Sequence, residues 1–103
     1  MGEFVTVTNA VDLEDGGLAA FEVRGNRIAL ASAAGTLYAF DDTCTHRGCS
    51  LAEGELEGTI VTCPCHGGQF DVTTGAVLAG PPPEPVRTYE VRLKDDLLLQ
   101  IEI

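Results

Sequence analysis

The stretch Cys44-Thr45-His46-Arg47-Gly48-Cys49 and the later stretch Cys63-Pro64-Cys65-His66 contain every histidine and every cysteine of this chain. Sixteen residues separate the Cys-x-His pair of the first stretch from the Cys-x-x-His pair of the second. Each pair offers one thiolate and one imidazole, both of which are ligands for transition metals. The pattern therefore predicts a metal centre held by two loops, with four candidate ligands: Cys44, His46, Cys63 and His66.

Two kinds of metal centre use two thiolates and two imidazoles. One is a [2Fe–2S] cluster in which two histidines replace two cysteines on one iron, which moves the reduction potential from about −400 mV to roughly −150 to +300 mV. The other is a closed, tetrahedral structural zinc site. Zinc modules usually pair cysteine with cysteine and histidine with histidine, whereas each short pair here is mixed. The pattern therefore favours the iron–sulfur cluster, with a zinc-stabilised interaction module as the alternative.

A known family carries the same pattern of residues. Residues 44–51, Gly54, residues 63–71 and the run Gly80-Pro81-Pro82-Pro83 closely resemble the Rieske [2Fe–2S] domain. The resemblance extends more loosely over nearly the whole chain, and the length of 103 residues is similar to that of free-standing Rieske ferredoxins. It implies one domain over residues 1–103, with cluster loops at about 44–50 and 63–70 and a Pro-rich loop at about 80–85 packed over the cluster. It also implies that Cys44 and Cys63 bind one iron, and His46 and His66 the other.

The two remaining cysteines, Cys49 and Cys65, are a separate question. In the branch of the family found in quinol-oxidising complexes, the corresponding cysteines form a disulfide between the two cluster loops, whereas ferredoxins of aromatic dioxygenases usually lack both. The resemblance therefore implies a disulfide between Cys49 and Cys65. Two free thiols are the alternative, which a reducing cytosol favours. Two ordinary disulfides of a small secreted domain are less expected, because residues 1–20 lack the basic start and continuous apolar stretch of a secretory signal.

Two positions next to the second cluster loop bear on the reduction potential. The high-potential relatives place a serine and a tyrosine where this chain has Gly68 and Phe70. Hydroxyl donors to the cluster or to a ligand sulfur stabilise the reduced state and raise the potential. The resemblance therefore implies a potential between those of the dioxygenase ferredoxins and the quinol-oxidising proteins. The three glycines Gly48, Gly67 and Gly68 are expected where a Cβ would obstruct the backbone around the cluster.

The hydrophobic pattern predicts an all-β chain. Short apolar runs separated by Gly, Asn and Asp turn signals, and period-two alternation near the C-terminus, are typical of a small antiparallel sandwich or barrel. The resemblance implies the Rieske-type version, a β-sandwich or barrel with a cluster-binding subdomain built from two hairpin loops. The turns Thr73-Thr74-Gly75 and Asp95-Asp96 join neighbouring strands, and helical turns are expected only at residues 12–14 and 50–53. The predicted strands are residues 4–8, 18–23, 28–32, 36–40, 59–62, 70–72, 76–78, 88–93 and 97–103.

The net charge of −10 restricts the possible partners. A nucleic acid is not expected, because nothing in such a chain would neutralise its phosphates. An acidic carrier suits salt-sensitive docking on basic patches of other proteins, although solubility is the plainer interpretation of the same charge. Arg47 is a candidate contact at the docking tip. No apolar run approaches the roughly 18 residues that a membrane span requires, so a cytoplasmic protein without a membrane span is expected.

Together with the resemblance, these features predict an electron-transfer protein rather than an enzyme. The protein is expected to be a soluble Rieske-type ferredoxin with one [2Fe–2S] cluster per chain. It would accept one electron from an NAD(P)H-dependent reductase and pass it to a terminal oxygenase. The alternative is a small Rieske electron-transfer subunit of a larger oxidoreductase, of the nitrite or arsenite type, which Cys49 and Cys65 suggest.

Overall fold

The computed structural model describes residues 3–9, 16–44, 48–65, 67–80, 84–94 and 98–102. Several predictions of the sequence fall outside these residues: the ligands His46 and His66, the docking residue Arg47, the proline run 81–83, the helical turn at 12–14 and the turn at 95–96. In the part of the chain that the structure describes, no helix is long and apolar enough to cross a membrane.

The regular secondary structure of the described residues is almost entirely β-strand. In chain order these are β1 (Phe4–Asn9), β2 (Leu18–Val23), β3 (Asn26–Ala33), β4 (Thr36–Asp41), β5 (Glu55–Glu57), β6 (Ile60–Thr62), β7 (Gln69–Asp71), β8 (Val77–Ala79), β9 (Thr88–Tyr89), β10 (Val91–Lys94) and β11 (Leu98–Glu102). One 3₁₀ turn, Leu51–Glu53, lies between β4 and β5, where the sequence predicted a helical turn. The prediction of an all-β protein is confirmed.

The strands form three antiparallel sheets. The first has the order β1-β11-β10, the second β2-β3-β4-β9 and the third β5-β6-β7-β8. The second sheet is the central layer, because its side chains contribute to two separate core clusters. The first and third sheets each complete one of these clusters.

Strand β3 lies at the centre of the molecule, with its last six residues buried. Ile28 and Leu30 pack in the cluster that contains Leu99 of the first sheet. Ala29 and Ala31 belong to the other cluster, with side chains of the third sheet and of the metal-site loops. A strand covered on both faces needs an apolar residue at nearly every position, which explains why this segment reads as a continuous apolar run.

Most predicted strand boundaries agree with the structure within one or two residues, but the predicted strand 88–93 is two strands. Tyr89 pairs with Ala39 of the central sheet, whereas Val91 pairs with Ile101 of the first sheet. The chain therefore changes sheets at Glu90, whose carbonyl accepts a hydrogen bond from the N–H of Glu102. The alternating pattern continues through this change because both sheets bury the same side of the chain.

Strand β5 was missed by the sequence analysis, because Glu55-Leu56-Glu57 has only one apolar residue. It forms because β6 offers an open edge, against which Leu56 pairs with Val61 and Glu57 pairs with Ile60. Leu56 packs against the core cluster of the third sheet. Pairing and one buried side chain thus outweigh the poor strand preference of glutamate.

Gln100 also departs from the predicted pattern, in which the polar positions of the C-terminal strand face water. It is buried. Its side-chain oxygen accepts a hydrogen bond from Arg92 Nε (2.7 Å), and its amide nitrogen donates to the Thr6 hydroxyl (3.1 Å). Cross-strand partners on both sides therefore satisfy this amide, whereas Leu99 and Ile101 occupy the core as predicted.

Candidate metal centre

The described cysteines lie on two loops that are close together in space. The first loop follows β4 and is closed at its base by a bridge between Thr43 and Ser50, after which the 3₁₀ turn begins. The second loop joins β6 to β7 and is the tip of a hairpin in the third sheet. The sequence predicted that the second loop is the tip of a hairpin, and the resemblance implied that both cluster loops are hairpin loops.

The backbone of both loops follows one hydrogen-bonding pattern. In the first loop the N–H of Cys44 donates to the carbonyl of Cys49 (2.9 Å), and the N–H of Gly48 donates to the carbonyl of Cys44 (2.9 Å). In the second loop Cys63 donates to Gly68 (2.7 Å) and receives from Gly67 (3.1 Å), at the same offsets along the chain. Each loop is thus a compact turn that begins at a cysteine predicted to bind iron, and the N–H and the carbonyl of that cysteine both hydrogen-bond to the end of the loop.

The glycine four residues after the leading cysteine is required in both loops for its backbone conformation. Gly48 has φ +76° and Gly67 has φ +75°, values that other residues rarely adopt. Among the described residues, a Cβ at Gly48 would meet only a Thr43 methyl at 3.8 Å and one at Gly67 would meet nothing within 4 Å. The positive φ is therefore sufficient reason for a glycine at both positions, and a steric role around the cluster stays a prediction.

Two structural links hold the loops together. The first is the predicted disulfide between Cys49 and Cys65, with Cα atoms 6.5 Å apart. The second is a close approach at Gly54, where a Cβ would overlap the carbonyl oxygen of Thr62, the residue before Cys63. Gly54, which follows the 3₁₀ turn, therefore lets the chain after the first loop lie directly against the strand that enters the second.

The two cysteines outside the disulfide are buried beside this junction. Cys44 and Cys63 are each 3% exposed and pack in the core cluster that contains Leu51 and Phe70. The sulfurs of Cys49, Cys63 and Cys65 all lie within 4.8 Å of one another. Two of these sulfurs belong to the disulfide, so Cys63 is the thiol of this group that can bind a metal. Thiol sulfur suits a soft or borderline metal. The predicted imidazole ligands lie outside the described residues.

A buried aspartate beneath the first loop was missed by the sequence analysis. The carboxylate of Asp42 has none of its surface exposed and accepts hydrogen bonds from Arg27 Nε (2.7 Å), from the Ser50 hydroxyl (2.7 Å) and from the N–H of Ala52 (2.8 Å). An aspartate at the end of a strand is an ordinary turn residue in a sequence, so no signal distinguished it. Only the folded chain shows that it lies under the base of the loop.

The family of the protein follows from its sequence and fold together. Residues 3–90 match the model of the Rieske [2Fe-2S] domain, and the chain belongs to this family. Over 84 residues it is 38% identical to the ferredoxin component of the naphthalene 1,2-dioxygenase/salicylate 5-hydroxylase systems of a Ralstonia species. That match covers 82% of this chain and 81% of the relative.

Solved structures with the same fold include two from carbazole 1,9a-dioxygenase systems. The ferredoxin from Nocardioides aromaticivorans IC177 has a TM-score of 0.86 and 32% identity, over 94% of this chain and 95% of that chain. A complex of reduced oxygenase and oxidized ferredoxin contains a chain with a TM-score of 0.87 and 33% identity, over 95% of this chain and 92% of that chain. At these identities the likeness extends beyond the fold to the ferredoxin class.

The cofactor of this protein is therefore a Rieske-type [2Fe–2S] cluster. The described residues fit it, because Cys44 and Cys63 lie outside the disulfide, one at the start of each loop, and are buried in the same core cluster. When bound, the cluster supplies a one-electron couple. The protein's own contribution is to hold the two loops at a fixed separation in a dry, apolar setting.

We expect that Gly68→Ser and Phe70→Tyr will each raise the reduction potential. Gly68 is buried in the second loop, and Phe70 is fully buried in the same core cluster as Cys44 and Cys63. A hydroxyl introduced at either position would supply a donor close to a ligand sulfur, and donors stabilise the reduced state. A gain of about 1.4 kcal/mol in that state corresponds to about 59 mV for a one-electron couple.

Voltammetry of the loaded proteins measures this effect. The matched control is Phe21→Tyr, which adds the same hydroxyl in the core cluster on the other side of the central sheet. Its potential should equal that of the unmodified protein. An unchanged potential in both Gly68→Ser and Phe70→Tyr would show that these positions do not tune the cluster.

Proposed function

We propose that this protein is a one-electron carrier that takes an electron from an NAD(P)H-dependent reductase and delivers it to a terminal oxygenase. The observation that carries the proposal is the likeness, over more than four-fifths of the chain, to the ferredoxin component of an aromatic dioxygenase system. The protein has no catalytic chemistry of its own and acts in the cytoplasm. In this proposal residues 1–103 form a single domain, and residues 80–85 form a third loop over the cluster.

The proposed ligands are Cys44 and Cys63 for one iron and His46 and His66 for the other. The buried positions of the two cysteines support their half of this assignment. The histidine half depends on the sequence pattern alone. Thiolate ligation on one side and imidazole on the other makes the two irons unequal, which confines the added electron to the histidine-bound iron.

The distribution of charge supports docking on a basic partner. Residues 44–80 contain four acids, Glu53, Glu55, Glu57 and Asp71, and a single cation, Arg47. Four of the remaining cations have partners elsewhere in the molecule. Arg24 pairs with Glu3 and Arg27 with Asp42, whereas Arg87 and Arg92 lie over the rings of Tyr89 and Phe4. Residues 44–80, which include both cluster loops, therefore share the net negative charge of the chain, and their association with a basic surface should weaken with salt.

Stopped-flow oxidation tests the proposal directly. The dithionite-reduced protein is mixed with the oxidised terminal oxygenase of a naphthalene or carbazole dioxygenase system, and bleaching or recovery of the visible bands is followed at several salt concentrations. We expect electron transfer whose second-order rate constant falls as the ionic strength rises. The cluster-free variant Cys63→Ala should transfer nothing. If the oxygenases accept no electrons from the reduced protein, the proposed acceptor is wrong.

The disulfide between Cys49 and Cys65 favours a second candidate function. The resemblance placed such a disulfide in the branch of the family found in quinol-oxidising complexes and not in the usual dioxygenase ferredoxins, and the structure contains it. The second candidate is therefore a small electron-transfer subunit of a larger oxidoreductase of the nitrite or arsenite type. Affinity purification from the native host separates the two. Stoichiometric recovery of a large molybdenum- or sirohaem-containing subunit would favour this candidate, and recovery of the chain alone would favour the ferredoxin.

A further inference from the structure

Asp42 is the only buried charged residue in the part of the chain that the structure describes. It directly follows β4 and precedes Cys44 by two residues. A carboxylate removed from water is costly unless several donors satisfy it. The origin of those donors therefore indicates what the residue does.

Three donors to Asp42 come from consecutive residues that directly follow the first cluster loop. The Ser50 hydroxyl donates to Oδ2 (2.7 Å), and the N–H of Ala52 donates to Oδ1 (2.8 Å). Between them, the N–H of Leu51 donates to the main-chain carbonyl of Asp42 (2.7 Å). Asp42 lies in the segment that enters the loop, and it accepts hydrogen bonds from the segment that leaves the loop. Both ends of the loop are fixed at one residue.

The other donor connects this base to the central sheet. Arg27 on β3 donates from Nε to Oδ2 of Asp42 (2.7 Å), and its carbonyl accepts from the N–H of Asp42 (3.1 Å). The hydrogen bond and the charge of Asp42 raise the pKa of Arg27 above its ordinary value, so the guanidinium stays protonated. Charge-assisted hydrogen bonds of this kind are short and directional. The loop base is therefore held to the most buried strand of the molecule.

The geometry points to Asp42 as a positioning residue that sets where the first cluster loop, and with it Cys44, stands relative to the central sheet. Stability alone does not account for a charge here, because well-packed apolar residues stabilise a core as well as a buried ion pair does. An apolar side chain, however, would not specify the direction of three donors. The inference rests on the proposed role of Cys44 as an iron ligand.

The experiment compares two variants that each remove one hydroxyl donor from an aspartate. Ser50→Ala removes the donor to Asp42. Tyr89→Phe removes the donor to the neighbouring Asp41, which lies on β4 and not on the loop base. Burial and the bond to Asp41 raise the pKa of Tyr89 to about 12, so this hydroxyl is also protonated at neutral pH. The pair is therefore matched in the chemistry that it deletes.

The loaded proteins are challenged with an iron chelator, and loss of the visible bands is timed. Both deleted hydrogen bonds go to a charged carboxylate and are of comparable strength, but only the one to Asp42 holds the base of the first cluster loop. Ser50→Ala should therefore lose its cluster about tenfold faster than Tyr89→Phe, which corresponds to the loss of one such bond. Asp42→Asn keeps the shape but loses the charge and places its NH2 group against at least one N–H donor, so it should lose the cluster faster still. Electron paramagnetic resonance of the reduced Ser50→Ala protein should show broader lines than the control, because the loop no longer holds a single position.

The outcomes separate positioning from general stability. Equal rates and equal line widths in Ser50→Ala and Tyr89→Phe would overturn the inference, as would differences that merely follow the chemical-denaturation midpoints. If Asp42→Asn does not fold, Ser50→Ala alone decides. No acceptor protein takes part, so failure of electron transfer to an oxygenase leaves the result intact. Retention of iron by Cys44→Ala would instead refute the ligand assignment on which the inference rests.

Discussion

Replacing Cys63 with alanine is expected to abolish cluster binding. The thiol is buried at the tip of the second loop and is one of two cysteines outside the disulfide. Alanine keeps the apolar packing of this position but removes the donor, so three ligands remain for two irons. We expect iron and acid-labile sulfide to fall to background and the visible and paramagnetic signals to disappear.

The neighbouring Cys65 provides the control for this prediction. Cys65→Ala removes a thiol two residues away and breaks the disulfide, but it leaves all four proposed ligands in place. It should therefore retain most of its iron when purified under anaerobic conditions. If Cys63→Ala keeps its iron and Cys65→Ala does not, the roles of these two cysteines are reversed. Metal analysis of the unmodified protein also tests the zinc alternative, which would give a colourless protein.

Removing the disulfide with Cys49→Ser and Cys65→Ser together is expected to destabilise the protein by about 3 kcal/mol, because the bridge closes a loop in the unfolded chain. The two cysteines are 16 residues apart in sequence. The measurement is urea denaturation of the apoprotein, in which the midpoint should move to lower concentration. In the loaded protein, chelator should remove the cluster faster, because one of the links between the two loops is lost, and the cluster, the contact at Gly54 and the shared core must hold them together.

Chemical reduction provides the control for this second prediction. The unmodified apoprotein, treated with an excess of a phosphine reductant, should denature at the same midpoint as the double variant. The double variant itself should not respond to the reductant. Identical midpoints for the oxidised and reduced forms of the unmodified protein would show that the disulfide does not stabilise the fold.

The fold was largely predictable from the sequence because its signals are local. Short apolar runs bounded by turn residues favour strands, and such runs predicted β1 to β4. The predicted bounds of these strands needed only small corrections. Strand β5 was not predictable in this way, since its two glutamates disfavour a strand and only the open edge of β6 makes one. The change from one sheet to another at Glu90 was also not predictable. It depends on pairing with strands that are distant in the sequence.

The candidate site was likewise predictable only in part. Cys44 and Cys63 were identified from spacing, since ligand chemistry restricts which residue types recur at short intervals. Asp42 was not identified, because a buried carboxylate and a solvated one look the same in a sequence. The partners that distinguish it, Arg27 and Ser50, lie 15 and 8 residues away along the chain. Contacts of that range become visible only when the strands are assembled.

The sequence by itself determined the all-β class of this protein and the candidate chemistry of its site, that is, two pairs of predicted soft and borderline ligands on short loops. It did so because ligand type and strand periodicity are properties of neighbouring residues. The tertiary structure decided how those loops are held: the positive φ of Gly48 and Gly67, the close approach at Gly54 and the buried Asp42 beneath the first loop. These features depend on contacts between segments that are distant in the sequence. Such contacts form when the three sheets pack around the two core clusters.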